Sequence, residues 1–286
     1  MRARHAERGE QRTTPALPSK LREVHSERTM LRAVHAEWTK LRTVAGPGWL
    51  LLAAAAATVL ISAAAATAIH CPATGCSQDP TRVSLAGIQA GQVLVAVVAV
   101  LVISGEYSTG MIGVTLTAVP RRATMLAAKA AVLTAAVLAA GACGVLGSLL
   151  AGGLILPGHG FTAAHGFPPL SLADGPVLRA AAGSVLYLAL IALLSLGAAA
   201  AVRDSAAAIG VVLALLYLFP VLAHYVDQHW QRHLQQIAPM TAGLAIQATT
   251  GLRGLPISPW AGLGVTAAWT AGALLAGGLL LAFRDA

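Results

Sequence analysis

The sequence predicts an all-α, polytopic membrane protein with six transmembrane helices, an N-terminal amphipathic interfacial helix and a short cytoplasmic helix between the second and third spans. Three observations carry that expectation. Of 286 residues, 57% are hydrophobic and only 10% charged, against about 25% charged in an ordinary soluble domain. The apolar residues are gathered into runs rich in Ala, Leu, Val and Gly, several of them at or beyond the roughly 20 residues that a helix needs to cross a bilayer. The cations are segregated: ten of the 19 Lys and Arg lie in the first 45 residues, and most of the remaining nine flank the apolar runs.

Residues 1–45 form a polar tail. A degenerate repeat runs through it: His5-Ala6-Glu7-Arg8 returns as His25-Ser26-Glu27-Arg28 and as His35-Ala36-Glu37-Trp38. The last two copies sit in ten-residue units, a period that no helix face shares, so the repeat points to duplicated coding sequence rather than to a site. Met30 is a second candidate start, which would remove the copies upstream of it. In the second half of the tail, Val24, Leu31, Val34, Trp38 and Leu41 fall at helical spacing, with Arg32, Lys40 and Arg42 on the other side. A helix of this pattern can lie in the headgroup layer; a solvated tail is the other reading. The tail is too long and too polar for a charged signal n-region. His70 also fills the position before Cys71 where a lipoprotein site needs a small residue. The first apolar run is therefore expected to remain in the protein.

Residues 46–286 form the transmembrane domain. Span one covers about Pro47 to Ile69, span two Leu85 to Ser104, and span three Met125 to Ile155, tilted or broken by its glycines. Span four covers Val177 to Ala201, span five Ala206 to Ala223, and span six Pro259 to Phe283. The Gly-, Pro- and His-rich stretch from Pro157 to Gly175 and the longer one from His224 to Ser258 are loops, the second with an apolar piece from Ile237 to Ile246. With the N-terminus inside, 15 Lys and Arg fall on the inner side and four (Arg82, Arg179, Arg232, Arg253) on the outer. The positive-inside bias thus places both termini in the cytoplasm. Trp49, Trp230 and Trp260 stand near the expected interfaces, as an aromatic belt would. The net charge of +8 reads as topology and contact with anionic lipid, not as nucleic-acid binding, since its cations cluster beside a span.

Glu106 marks the inner end of span two. Gly105-Glu106-Tyr107-Ser108-Thr109-Gly110 is followed by Met111 to Val119, too short to cross the membrane, and then by Pro120-Arg121-Arg122. A short amphipathic helix projecting into the cytoplasm suits this pattern; a simple interhelical loop suits it equally. On the outer side, Cys71 and Cys76 bracket Pro72 and Gly75. Compartment and spacing permit a disulfide and equally permit two thiols. Cys143, in mid-span, reads as a small packing residue. Gly141, Gly144 and Gly147 in span three and Gly272, Gly277 and Gly278 in span six allow close helix approach. His224, Asp227, His229 and His233 cluster beyond span five. His229 and His233 share a helix face and are weak metal candidates, with a wet polar loop the plainer reading.

Ala36-Glu37-Trp38-Thr39-Lys40-Leu41-Arg42-Thr43 before span one resembles the N-terminal signature of type-2 ABC transporter permeases, especially those of high-GC Gram-positive bacteria. Glu106-Tyr107-Ser108-Thr109-Gly110-Met111-Ile112, then Pro120-Arg121-Arg122 and Lys129, is similar to that family's Glu-Tyr-x-x-Gly-Thr-Ile stretch leading to a Pro-x-Arg step, with Met111 in place of Thr. The resemblance implies a plasma-membrane exporter permease with a coupling helix carrying Glu106, Tyr107, Thr109, Gly110, Arg121 and Arg122. It also implies a second permease copy as dimer partner and a separate ATP-binding subunit that holds ATP and Mg. The chain itself has no Gly-x-x-x-x-Gly-Lys-Ser/Thr sequence, so any ATPase belongs to another polypeptide and this chain needs no cofactor of its own. No span carries a charge near its midpoint, which favours a path for an apolar or amphipathic substrate over a charged relay. Two other classes stay open: a metal-dependent membrane enzyme using the His224 to His233 cluster, and a non-catalytic sensor or immunity protein binding a peptide or lipid through the loop from His224 to Ser258.

Overall fold

A computed structural model describes residues 19–71, 78–108, 122–223 and 225–283. Among these the chain is helical and has no strand. Helix α1 (Ser19–Thr43) leads into α2 (Ala45–Ala68). A short α3 (Pro80–Ser84) precedes α4 (Ile88–Ser108), and α5 (Arg122–Ile155) follows. Then come α6 (Gly175–Val202), α7 (Ser205–Leu222), α8 (Gln228–Ile237), α9 (Pro239–Leu244) and α10 (Pro259–Phe283). Six helices, α2, α4, α5, α6, α7 and α10, are long and apolar enough to cross a membrane. Each coincides with a predicted span to within a few residues.

The spans alternate in direction, and their small residues record it. Ser62 and Thr58 of α2 lie against Gly87, just before α4, and Thr58 and Ala54 against Gly91 within it, so these helices run antiparallel. Ala55 and Val59 lie against Gly144 and Gly147, so α2 and α5 run parallel. α6 is the central helix and packs on α4, α5, α7 and α10. Without a hydrophobic drive between helices in lipid, close contact of small residues and interhelical hydrogen bonds must hold such a bundle.

α6 and α10 approach each other backbone to backbone. A Cβ added at Gly197 would lie 2.5 Å from the carbonyl carbon of Ala273, and one at Gly277 would lie 2.5 Å from the Gly197 carbonyl oxygen. Backbone cannot rotate out of the way as a side chain can. Gly197→Ala is therefore expected to destabilise the protein by about 1–3 kcal/mol, the usual cost of overpacking. Gly210→Ala, where the new methyl meets nothing within 4 Å, is expected to be neutral or slightly stabilising. Thermal unfolding of both variants in detergent checks the pair.

Three expectations for the spans need correction. α5 is one unbroken helix of 34 residues. Leu188, Ala55 and Val59 fill the space beside Gly141, Gly144 and Gly147, and none of these glycines breaks the helix. Cys143 is exposed on that helix rather than packed. In α10, Gly277 is a close contact as predicted, but Gly272 faces open space and Gly278 meets only Leu126, at 3.8 Å.

The stretch between α7 and α10 is more than a loop. Residues 238–248 are buried almost throughout, because α9 and the 3-10 turn Ala245–Gln247 fold back into the bundle. There Gly243 lies against Tyr187, Gly262 of α10 against the Ala242 carbonyl, and Thr266 donates to the Pro239 carbonyl at 2.9 Å.

Candidate functional site: the inner helix junction and the outer plug

At 1.5 Å per residue α5 is about 51 Å long, far more than the ~30 Å of hydrocarbon it has to cross. α1 packs against its N-terminal part. The contact face of α1 is Ala33 and Glu37, both buried, flanked by Met30, Lys40 and Leu41. Of the predicted apolar stripe, Val34 and Leu41 are half-buried while Leu31 and Trp38 are exposed; the Val24 side chain is not among the described ones. The helix is rotated from the expected setting because a carboxylate, not the stripe, makes the central contact. The Lys129 Nζ donates to Glu37 Oε2 at 2.8 Å, and the Lys40 Nζ donates to Glu37 Oε1 at 3.0 Å. Lys129 is 1% exposed and Glu37 8%.

Lys129 lies 26 residues before the end of α5 at Ile155, roughly 39 Å along the axis. In a chain with membrane-spanning helices a buried ammonium group is tolerated when it is paired. A cavity of about 330 Å³ opens beside the pair, walled by Leu41, Val44, Leu101, Val102, Val132 and Leu133. The Glu37–Lys129 pair thus ties α1 to α5.

At the other end of α4 a second polar cluster is sealed into the bundle. Gln92 is fully buried. Its Nε2 donates to the Tyr217 hydroxyl at 2.9 Å and to Met240 Sδ at 3.3 Å. Its Oε1 accepts from the Tyr187 hydroxyl, and Tyr217 in turn donates to the Gln89 carbonyl. One glutamine thus joins α4, α6, α7 and α9. The outer rim is pinned by Asp79, which caps α3 through the Thr81 and Arg82 amides at 3.0 and 3.3 Å. Asp79 also accepts from Thr249 Oγ1 at 2.8 Å and the Thr250 amide at 3.0 Å. Arg179 donates to the Ala248 carbonyl.

The predicted site residues fare unevenly. Glu106 and Tyr107 lie in the last turns of α4 and Arg122 begins α5; their side chains, like Thr109, Gly110 and Arg121 altogether, lie outside the described residues. Cys71 is in a disulfide; Cys76 lies outside the described residues. His229 and His233 stack edge-on at 4.7 Å between centroids, and His224 lies outside the described residues. Among the described residues no group of three or more metal-ligating side chains converges. Trp49, Trp230 and Trp260 are all exposed, as residues of an interfacial belt must be.

Sequence reasoning quoted Glu37, Lys40 and Lys129 inside motifs without joining them. A carboxylate interrupting the apolar side of an interfacial helix was the available signal. Gln92, Tyr187 and Tyr217 were missed because each is a single uncharged polar residue in an apolar run. Between α6, α7 and α10 runs a wholly apolar groove of about 650 Å³, with Leu194, Val212, Leu215, Val265 and Trp269 among its walls. Compared with known proteins, the chain matches no family model and no curated sequence.

Proposed function

We propose that this chain is the membrane-spanning permease subunit of an ATP-driven exporter of the type-2 ABC kind. In this reading it lies in the plasma membrane with both termini in the cytoplasm, pairs with a second permease copy and is driven by a separate ATP-binding subunit. The observation that carries the reading is the buried Glu37–Lys129 link. It fastens an interfacial helix to the inner end of the span that emerges directly after residues 109–121, where the coupling motif falls. Force from a cytoplasmic partner on either segment would reach the same helix end. α4 would pass it on, since it bears Glu106 near its inner end and Gln92, bonded to the outer α9 region, near its other end. Rocking of packed helices about such fixed points is a known route to alternating access. The apolar groove beside α6, α7 and α10 suits an apolar or amphipathic substrate, and outward transport is what the resemblance implies.

The test is co-purification with a candidate ATPase, such as one encoded beside this chain, reconstituted with it in nanodiscs. Reversing the charges of Arg121 and Arg122, or Glu106→Gln, is expected to abolish complex formation or to cut permease-dependent ATPase activity at least several-fold. If both stay intact in all these variants, the proposal fails.

A further inference from the structure

The face opposite α1 carries a polar groove that neither the proposed transport path nor the helix junction uses. Its volume is about 560 Å³. One wall is α8, whose Gln228, Gln231, Arg232, Gln235 and Gln236 all line it; the other is Arg253 with the backbone through Pro256. These five positions on α8 fall within one face of the helix, while Trp230, Leu234 and Ile237 fall on the opposite one. The C-terminal end of α8 is anchored, since the Trp269 indole donates to the Ile237 carbonyl at 2.8 Å, while the Trp230 and Ile237 side chains stay exposed. The polar side lines the groove.

The second wall is held as firmly. Gly251, at φ +64°, turns the chain back toward α8. The residues just before it are bonded to Asp79 and Arg179, and Gln236 Nε2 donates to the Pro256 carbonyl at 2.8 Å, bridging the two walls. Four carboxamides and two guanidinium groups line the space, with no carboxylate among them. Among the described residues neither Arg232 nor Arg253 has an ion pair or hydrogen bond.

Two guanidinium groups on opposite rigid walls match an oxyanion, since each presents a planar fork of donors suited to phosphate. Carboxamides both donate and accept, which matches hydroxyl groups. We infer that this groove binds a phosphate ester bearing free hydroxyls, either as a soluble phosphorylated polyol or as the headgroup of an anionic phospholipid.

The experiment uses the full-length protein in phosphatidylcholine nanodiscs, titrated calorimetrically with glycerol 3-phosphate, inorganic phosphate and glycerol. Glycerol 3-phosphate is expected to bind most tightly and glycerol not to bind. The double variant Arg232→Gln with Arg253→Gln is expected to weaken binding by about tenfold or more, the usual worth of a charge-assisted hydrogen bond. Arg82→Gln, on the same face but outside the groove, is expected to bind as the parent does. Phosphatidylglycerol nanodiscs separate the two sources. Suppressed binding there identifies the lipid headgroup, and undiminished binding identifies a soluble ligand; either supports the inference. No saturable binding at about 10 mM, weaker than any specific site, overturns it, as does equal binding by parent and double variant.

Discussion

Lys129→Met is expected to destabilise the protein by about 3–5 kcal/mol, the cost of leaving one member of a buried ion pair without its partner. The stranded group is the Glu37 carboxylate, 8% exposed. It would keep only Lys40, whose side chain is 41% exposed and whose attraction is screened by water. Lys40→Ala should therefore cost little. The informative variant is the double Glu37→Leu with Lys129→Met. An apolar pair of similar volume is often neutral relative to a buried ion pair, so the double is expected to recover most of the stability that the single loses. Unfolding of the parent, both singles and the double in one detergent gives the cycle. A double no better than Lys129→Met alone would show that the two groups are not energetically coupled. The double also separates stability from transmission. If the link carries force from α1 to α5, a stable double variant retains complex formation with the ATP-binding partner while its stimulated activity falls.

The spans were legible because each needs an uninterrupted apolar run, and the bilayer leaves a helix little freedom about where to begin and end. Arg203 and Asp204 show this at one residue's resolution. Arg203 takes a left-handed conformation at φ 65° that ends α6, and the Asp204 carboxylate accepts from the Ala207 amide at 2.7 Å to start α7. Both fall in the short gap that the sequence leaves between spans four and five. What could not be read was rotation and depth. The stripe Leu31, Val34, Trp38 and Leu41 gave α1 the right identity but the wrong contact face, because periodicity does not know that a lysine 92 residues later will claim Glu37. The apolar piece from Ile237 to Ile246 was visible, yet hydropathy cannot tell a segment lying on the membrane from one folded back among the spans. Gly243, Gly262 and Thr266 make the second outcome possible, and they resemble ordinary small residues until they meet.

Gln92→Leu is expected to cost about 1–3 kcal/mol, because it removes the acceptor of the buried Tyr187 hydroxyl and one of two partners of the Tyr217 hydroxyl, at about 1–3 kcal/mol for a buried group left unsatisfied. The two tyrosines do not suffer equally. Tyr217 keeps the Gln89 carbonyl, whereas Tyr187, fully buried, has Gln92 as its acceptor and an apolar surround to face without it. Tyr187→Phe in the Gln92→Leu background should therefore restore part of the loss, whereas Tyr217→Phe should restore less. That inequality distinguishes an orphaned hydroxyl from a mere change of volume, which either phenylalanine would leave uncorrected. A functional consequence follows from Met240, whose sulfur also accepts from Gln92. α9 is seated by that contact and by the small-residue packing around Gly243, so losing the glutamine loosens the outer segment selectively. Hydrogen exchange of residues 238–248 is expected to speed up in Gln92→Leu more than that of α2 or α5. Uniform acceleration across the bundle would instead mean that Gln92 holds the fold as a whole and not the outer plug.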